Sequence, residues 1–210
     1  MSITSALRHF AMMCVVTVFA FELVAGEFNP DLNIGDKAPE WKSLPGVDDQ
    51  RYSLADFKSK DVLVVFFTCN SCPYAIEYED RIAALVRRYD RAGRQVGFVG
   101  INVNKVEADL LPAMKVRAQQ KEFRFPYLFD ESQQIAKDFG AGYTPEFFVL
   151  NKERRVVYMG ALDDNSNAEQ VKQHYVAAAI DALLAGQEPV KKETPPVGCR
   201  IRMQKRRRGQ

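Results

Sequence analysis

Two cysteines separated by two residues, Cys69 and Cys72, carry the strongest chemical signal in the chain. They stand between Val62–Phe67, an apolar run rich in β-branched residues, and a helical pattern whose first turn holds Pro73. A thiol at a helix N-terminus meets unpaired backbone N–H groups and the positive end of the helix dipole, and both stabilise a thiolate. The thiolate is the nucleophile of disulfide exchange. With two residues between the thiols, Cys72 in the first turn can reach back to Cys69 and resolve a mixed disulfide formed there. Cys69 is therefore expected to be exposed and to attack, and Cys72 to be shielded. A structural disulfide and half of a zinc site are the competing readings. Zinc normally takes four Cys or His ligands, and outside the N-terminal run only His9, His174 and Cys199 remain. No metal and no cofactor is expected.

Thr144-Pro145, about 75 residues after the dithiol and directly before an apolar run, is the second signal. An X–Pro bond can be cis at modest cost, and a cis proline marks a specified turn. A proline opening an edge strand is the blander alternative. Cys199, beyond the last helical pattern, is either a third redox thiol that folds back, a thiol that pairs with another molecule, or a free thiol in a loose tail.

The elements that must position these residues follow from periodicity and punctuation. Gly35–Pro39 opens the fold, and Trp41–Leu44 and Arg51–Leu54 flank a Pro-Gly turn, the pattern of a hairpin. Ser53 caps a helical turn over Leu54–Phe57. Val62–Phe67 predicts a strand buried on both faces. A long helix from Pro73 to a stop at Gly93 follows, with Ile76, Ala83, Leu85 and Val86 apolar and Arg81, Arg87 and Arg88 polar. Gly97–Val103 is the next strand, joined by a right-handed parallel crossover. An inserted helix is predicted over Ala108–Lys121, a short strand over Tyr127–Asp130, and a helix over Ser132–Phe139 closed by Gly140. Phe147–Leu150 and Val156–Met159 form an antiparallel hairpin. Ala168–Ala185 predicts an amphipathic helix, with Val171, Tyr175, Ala178, Ile180 and Leu183 apolar. Residues 187–210 form an extended, Pro-containing basic tail.

Composition bounds the function. Of 210 residues, 47% are hydrophobic and 27% charged, which suits a globular chain and argues against a disordered or polytopic membrane one. The net charge of +2 is uneven: the last eleven residues hold six basic residues and no acid, leaving 23 basic against 27 acidic residues elsewhere. A mildly acidic body makes nucleic acid a poor partner, while the Lys205–Arg208 run could touch an anionic membrane surface weakly. Arg8 and His9 precede an apolar run over Phe10–Ala25 that is short for a spanning helix and fits a secretory signal, with cleavage before Glu27. Residues 1–26 are thus expected to be a signal peptide or an uncleaved anchor, with Cys14 a small apolar residue within it, and 27–34 a linker. Export places Cys69, Cys72 and Cys199 in an oxidising compartment, periplasmic or otherwise outside the cytoplasm.

Gly35-Asp36-x-Ala38-Pro39, Cys69-Asn70-Ser71-Cys72-Pro73, Tyr143–Asn151 and the following strand ending in Gly160 resemble the thioredoxin-like redoxins. These include exported thiol–disulfide oxidoreductases of the TlpA/ResA type and AhpC/TSA relatives. The resemblance covers residues 35–186 and implies an α/β thioredoxin-like fold, a central mixed sheet flanked by helices, with an N-terminal hairpin and a helical insertion over Val103–Lys121. It implies dithiol–disulfide exchange with Cys69 as nucleophile and Cys72 as resolving thiol. It also implies a cis bond at Pro145 beside Cys69, where the free backbone of Thr144 pairs with an extended substrate. Two features depart from the family. No acid lies on the strand before the dithiol, Asp61 falling just outside it; Glu77 or Glu146 could replace it, but each reads first as a surface helix or loop charge. Thr68 replaces the tryptophan often found before the first cysteine.

The leading expectation is exchange with protein thiols and disulfides, coupled to an upstream redox partner. A peroxiredoxin-like thiol peroxidase is the enzymatic alternative, although no proline precedes Thr68 in the strand. A Sco-like copper-delivery protein is the non-enzymatic one, although the cysteine spacing is one residue short and His174 lies on the terminal helix. Neither the direction of electron flow nor the oligomeric state is fixed by the sequence.

Overall fold

The computed structural model describes residues 26–92 and 95–204. The expected signal segment up to Ala25, with His9 and Cys14, the helix stop at Gly93 and the basic run Lys205–Arg208 lie outside the described residues.

Strands β1 (Leu44–Pro45) and β2 (Arg51–Tyr52) form the expected hairpin, shorter than the sequence suggests. A 3-10 turn over Leu54–Phe57 follows, its start held by the Ser53 N–H donating to the Asp56 carboxylate at 2.7 Å. Strand β3 (Val62–Phe67) has six buried apolar residues, as a strand covered on both faces must. Helix α1 (Pro73–Arg91) leads to β4 (Val96–Asn102), which pairs parallel with β3 from Val62↔Val96 to Phe67↔Ile101. The insertion holds a 3-10 turn over Glu107–Asp109 and α2 (Leu111–Gln120), and leads to β5 (Tyr127–Phe129), parallel to β4. Then come α3 (Gln134–Asp138), the two-residue β6 (Tyr143–Thr144), and the antiparallel pair β7 (Glu146–Leu150) and β8 (Val156–Gly160). The main sheet has the order β5-β4-β3-β7-β8, with β3 central and β7 antiparallel to it. This mixed sheet flanked by helices is the thioredoxin-like α/β fold.

Alternation along β3 builds two apolar layers. Leu63, Val65 and Phe67 face Trp41, Phe139 and Phe148, on the side of α3 and the N-terminal hairpin. Val62, Val64 and Phe66 face Tyr78, Ile82 and Val86 of α1 and Val176 and Ile180 of the last helix, α4 (Tyr175–Leu184). Each such side chain contributes about 1.5–3 kcal/mol by burial, so β3 is the best-anchored element and a firm base for whatever follows it.

Three expectations need correction. On α1 the buried face runs through Ala75, Tyr78, Ile82, Val86 and Tyr89, whereas Ile76 points outward and is 39% exposed. Arg81 is not a free polar residue: it pairs with the buried Asp163 at 2.6 Å. The last helix begins at Tyr175, not Ala168. Asp164 holds the preceding backbone extended, its Oδ1 accepting from Lys172 N–H at 2.9 Å and its own N–H donating to the Gln173 carbonyl at 3.1 Å. The apolar spacing that starts at Val171 therefore crosses a break in which only Ala168–Gln170 makes a 3-10 turn.

The tail is extended but not loose. The Met159 N–H donates to the Lys192 carbonyl at 3.0 Å and the Thr194 N–H to the Met159 carbonyl at 3.1 Å. Thr194 is buried, its hydroxyl 2.8 Å from that of Tyr158. A side chain at Gly160 would strike the Thr194 carbonyl, since an ideal Cβ there lies 2.2 Å from it. Beyond this anchor the chain forms β9 (Cys199–Arg200), antiparallel to β6.

Candidate dithiol site

The last sheet hydrogen bond at this end of β3 runs from Thr68 N–H to the Ile101 carbonyl, 3.0 Å, and the chain then leaves the sheet at Cys69. Pro73 at the first helical position lacks the N–H that would be unpaired there anyway. Cys72 is the N-cap of α1, and its sulfur accepts from the Ala75 N–H at 3.4 Å. The helix N-terminus therefore serves Cys72, not Cys69.

The loop between the cysteines is fixed from the insertion. Asp109, fully buried, accepts from the Asn70 and Ser71 N–H groups at 2.8 and 2.9 Å through one oxygen and from the Ser71 hydroxyl at 2.6 Å through the other. The Asn70 side-chain amide donates to the Ala108 carbonyl at 2.8 Å. Sequence reading missed Asp109. Its only sequence mark is its place in the insertion, and no local pattern links it to a loop nearly forty residues earlier.

Across from the loop, the Thr144–Pro145 bond is cis. Thr144 touches both sulfurs: its hydroxyl lies 3.4 Å from Cys69 Sγ, and its carbonyl accepts from the Cys72 thiol at 3.0 Å. The Ser71 hydroxyl lies 3.9 Å from Cys69 Sγ. The expected neighbours are thus brought together, but two expectations change. Cys69 is 2% exposed and Cys72 3%, so the first cysteine is not open to solvent. Thr144 is buried and its edge is taken, because β9 pairs with it in the register Thr144↔Cys199. Cys199 packs against the two cysteines and Ala75. Among the described residues, Cys69, Cys72 and Cys199 are free thiols.

The sulfurs titrate together. Cys72 is pulled down to about 4, first by a hydrogen bond from the Cys69 thiol, with the Cys199 thiol, the Ala75 N–H and the Thr144 hydroxyl adding to it against the opposing effect of burial. Cys69 is pushed up by donating that same hydrogen bond and then by burial. One feature opposes this charge placement: a thiolate on Cys72 faces the Thr144 carbonyl, which its thiol form satisfies. The physical content is one proton shared between Cys69 and Cys72. On Cys69 it leaves a thiolate at the helix N-terminus. On Cys72 it satisfies the Thr144 carbonyl, and the Thr144 and Ser71 hydroxyls are then free to donate to Cys69.

Glu146 is not a surface charge. It is 3% exposed, pairs in register with Phe67, and accepts from the Gly142 and Tyr143 N–H groups at 2.8 and 3.0 Å. Burial pushes its carboxyl up to about 7, against those two bonds. It braces the loop that presents Thr144. Its sequence signal is its position as first residue of a strand whose other members are all apolar. Glu77, by contrast, is exposed as expected, and His174 is exposed at the start of α4, away from the dithiol. Among the described residues no three His, Cys, Asp or Glu side chains converge as metal ligands.

The chain is similar to known proteins. The model of the Redoxin family matches residues 33–175. The thiol-disulfide oxidoreductase ResA of Bacillus thuringiensis subsp. konkukian is 25% identical over 154 residues, covering 71% of this chain and 83% of ResA. The crystal structure of an uncharacterized conserved protein from Geobacillus kaustophilus is 34% identical, with a TM-score of 0.77, over 84% of this chain and 95% of that one. A peroxiredoxin candidate of Mycobacterium tuberculosis is 26% identical over 114 residues, 52% of this chain and 65% of its own.

Proposed function

The chain belongs to the Redoxin family and is a thiol–disulfide oxidoreductase of thioredoxin-like fold; on that premise we propose that it exchanges a Cys69–Cys72 dithiol/disulfide with protein substrates outside the cytoplasm. The observation that carries this reading is the contact of both sulfurs with Thr144, the residue before the cis proline. Cys69 attacks the incoming disulfide, the Thr144 and Ser71 hydroxyls being placed to donate to its thiolate. Attack joins Cys69 to one substrate sulfur and expels the other as a thiolate. Cys72 then attacks Cys69 Sγ, releases the second substrate sulfur, and closes the internal disulfide. The upstream partner reverses these steps. With β9 displaced, Thr144 offers main-chain pairing to an extended substrate, and Pro145 shapes that edge.

A protein-sized substrate also needs an apolar rim. Tyr74 beside Cys72 and Leu110 beside Asp109 are 40% and 38% exposed. Export is supported by the Phe10–Ala25 run, and weak contact with an anionic membrane by the Lys205–Arg208 run. Among the described residues no helix is long and apolar enough to cross a membrane.

The test is turnover of a protein disulfide by wild type, Cys69→Ser and Cys72→Ser. Both variants should fall to background, and a Cys69→Ser protein with full activity would defeat the assignment. The likeness to the peroxiredoxin candidate supports a second reading, reduction of peroxide by the same pair. Rapid peroxide consumption with no exchange on protein disulfides would favour it.

A further inference from the structure

The edge at which a substrate strand would pair is filled by the chain's own tail. Cys199–Arg200 runs antiparallel to Tyr143–Thr144, with Cys199 opposite Thr144 and Arg200 opposite Tyr143. The approach is close enough to require glycine: an ideal Cβ on Gly198 would lie 2.2 Å from the Thr144 carbonyl oxygen and 3.0 Å from Pro145 N. The Cys199 side chain packs against the cluster of Cys69, Cys72 and Ala75 at the start of α1. The chain is fastened on both sides of it. Thr194 is buried upstream. Downstream Ile201 is 7% exposed and donates its N–H to the Gly142 carbonyl at 2.9 Å. The Arg202 and Gln204 N–H groups then donate to Asn104 Oδ1 and Gln133 Oε1 at 2.9 and 2.8 Å.

We propose that Cys199 is a third redox thiol of this site, carried by a strand that occupies the substrate position as a built-in substrate. The inference rests on the reading of Cys69 and Cys72 as the exchanging pair. Starting from the Cys69–Cys72 disulfide, the Cys199 thiolate attacks Cys72 Sγ. The Cys72–Cys199 bond forms as the Cys69–Cys72 bond breaks, and the electron pair leaves with Cys69, which takes up the proton Cys199 gave up. One disulfide replaces another, so no oxidant or reductant is consumed. In the new isomer the tail is tied covalently across Thr144 and Cys69 is a free thiol beneath it. Protein substrates then compete with the tail for the same edge, whether it is held by hydrogen bonds or by the disulfide.

The experiment is peptide mapping of the full chain after mild oxidation with diamide, together with turnover of a protein disulfide. Wild type should yield both Cys69–Cys72 and Cys72–Cys199 linkages. Cys69→Ser should form Cys72–Cys199 within one molecule, at a rate independent of protein concentration. Cys199→Ser should retain only Cys69–Cys72, and Gly198→Val, which expels the strand, should turn over a protein disulfide several-fold faster. If Cys69→Ser stays reduced or gives only dimers while wild type still forms Cys69–Cys72, Cys199 is a bystander and the proposal fails alone. If wild type forms no Cys69–Cys72 linkage, the proposal fails together with the reading beneath it.

Discussion

The loop that carries the dithiol and the tail strand that covers it are held in different ways. Cys69–Cys72 is suspended between β3, which is paired on both sides over nearly its whole length, and a nineteen-residue helix. A buried carboxylate then pins its two central amides. The tail holds its place through the buried Thr194, a two-residue strand, one buried isoleucine and side-chain caps from Asn104 and Gln133. Local opening follows local stability, and segments with few buried contacts open first. The reactive sulfurs are therefore fixed in position, while the cover over them can be exchanged for something else. A site with both thiols buried at rest can still serve protein substrates if its cover is the weaker part.

The comparison can be broken at its firm end first. Asp109→Ala should leave the Asn70 and Ser71 N–H groups without their buried partner. An unsatisfied buried donor costs about 1–3 kcal/mol, so denaturant unfolding should show a loss of about 2–5 kcal/mol and exchange activity should drop with it. An unchanged midpoint together with unchanged activity would mean that the insertion does not position the dithiol.

Glu146 tests the loop between the two regions. Its carboxyl is raised by burial to about 7, against an ordinary carboxyl value near 4.5 for the unfolded chain. Between those values the folded chain holds the proton and the unfolded chain does not. This contribution to stability is therefore greatest in acid, falls as pH rises from about 4.5 to 7, and is constant above that range; the fall is about 3 kcal/mol. Glu146→Gln should flatten the dependence, read from chemical unfolding at several pH values. A variant that kept the wild-type slope would place its origin elsewhere.

The tail should give the smallest effect on global stability. Ile201→Ala should lower the unfolding free energy by about 1–2 kcal/mol, while raising the alkylation rate of Cys69 and Cys72 several-fold as the cover loosens. Thiolate absorbance in the reduced protein sharpens the same contrast. With Cys72 pulled down to about 4, one thiolate should persist below about pH 6 and vanish in Cys72→Ser.

The firm region was also the legible one. Six consecutive apolar residues, a Cys-x-x-Cys-Pro and a hairpin turn at Asn151–Arg155 are local signals, and β3, the start of α1 and the β7–β8 pair follow them closely. What the sequence hid depends on distant partners. Asp109 meets Asn70 and Ser71 only because the insertion folds over the loop. The docking of Cys199 depends on Asn104, Gln133 and a glycine that lets two backbones touch. Glu146 reads as a surface charge because a charged residue is usually exposed, although its place beside an apolar strand points inward. The terminal helix is shorter than its pattern because apolar spacing continues through a segment whose backbone Asp164 captures.

The central claim is that Cys69 and Cys72 act as one redox couple. A redox titration with thiol labelling and peptide mapping at each potential tests it most directly. The account predicts that both cysteines leave the free-thiol pool together in a single two-electron transition, and that this transition survives in Cys199→Ser. Cys69 and Cys72 that remain labelled at every potential, or that are lost independently of each other, would contradict it.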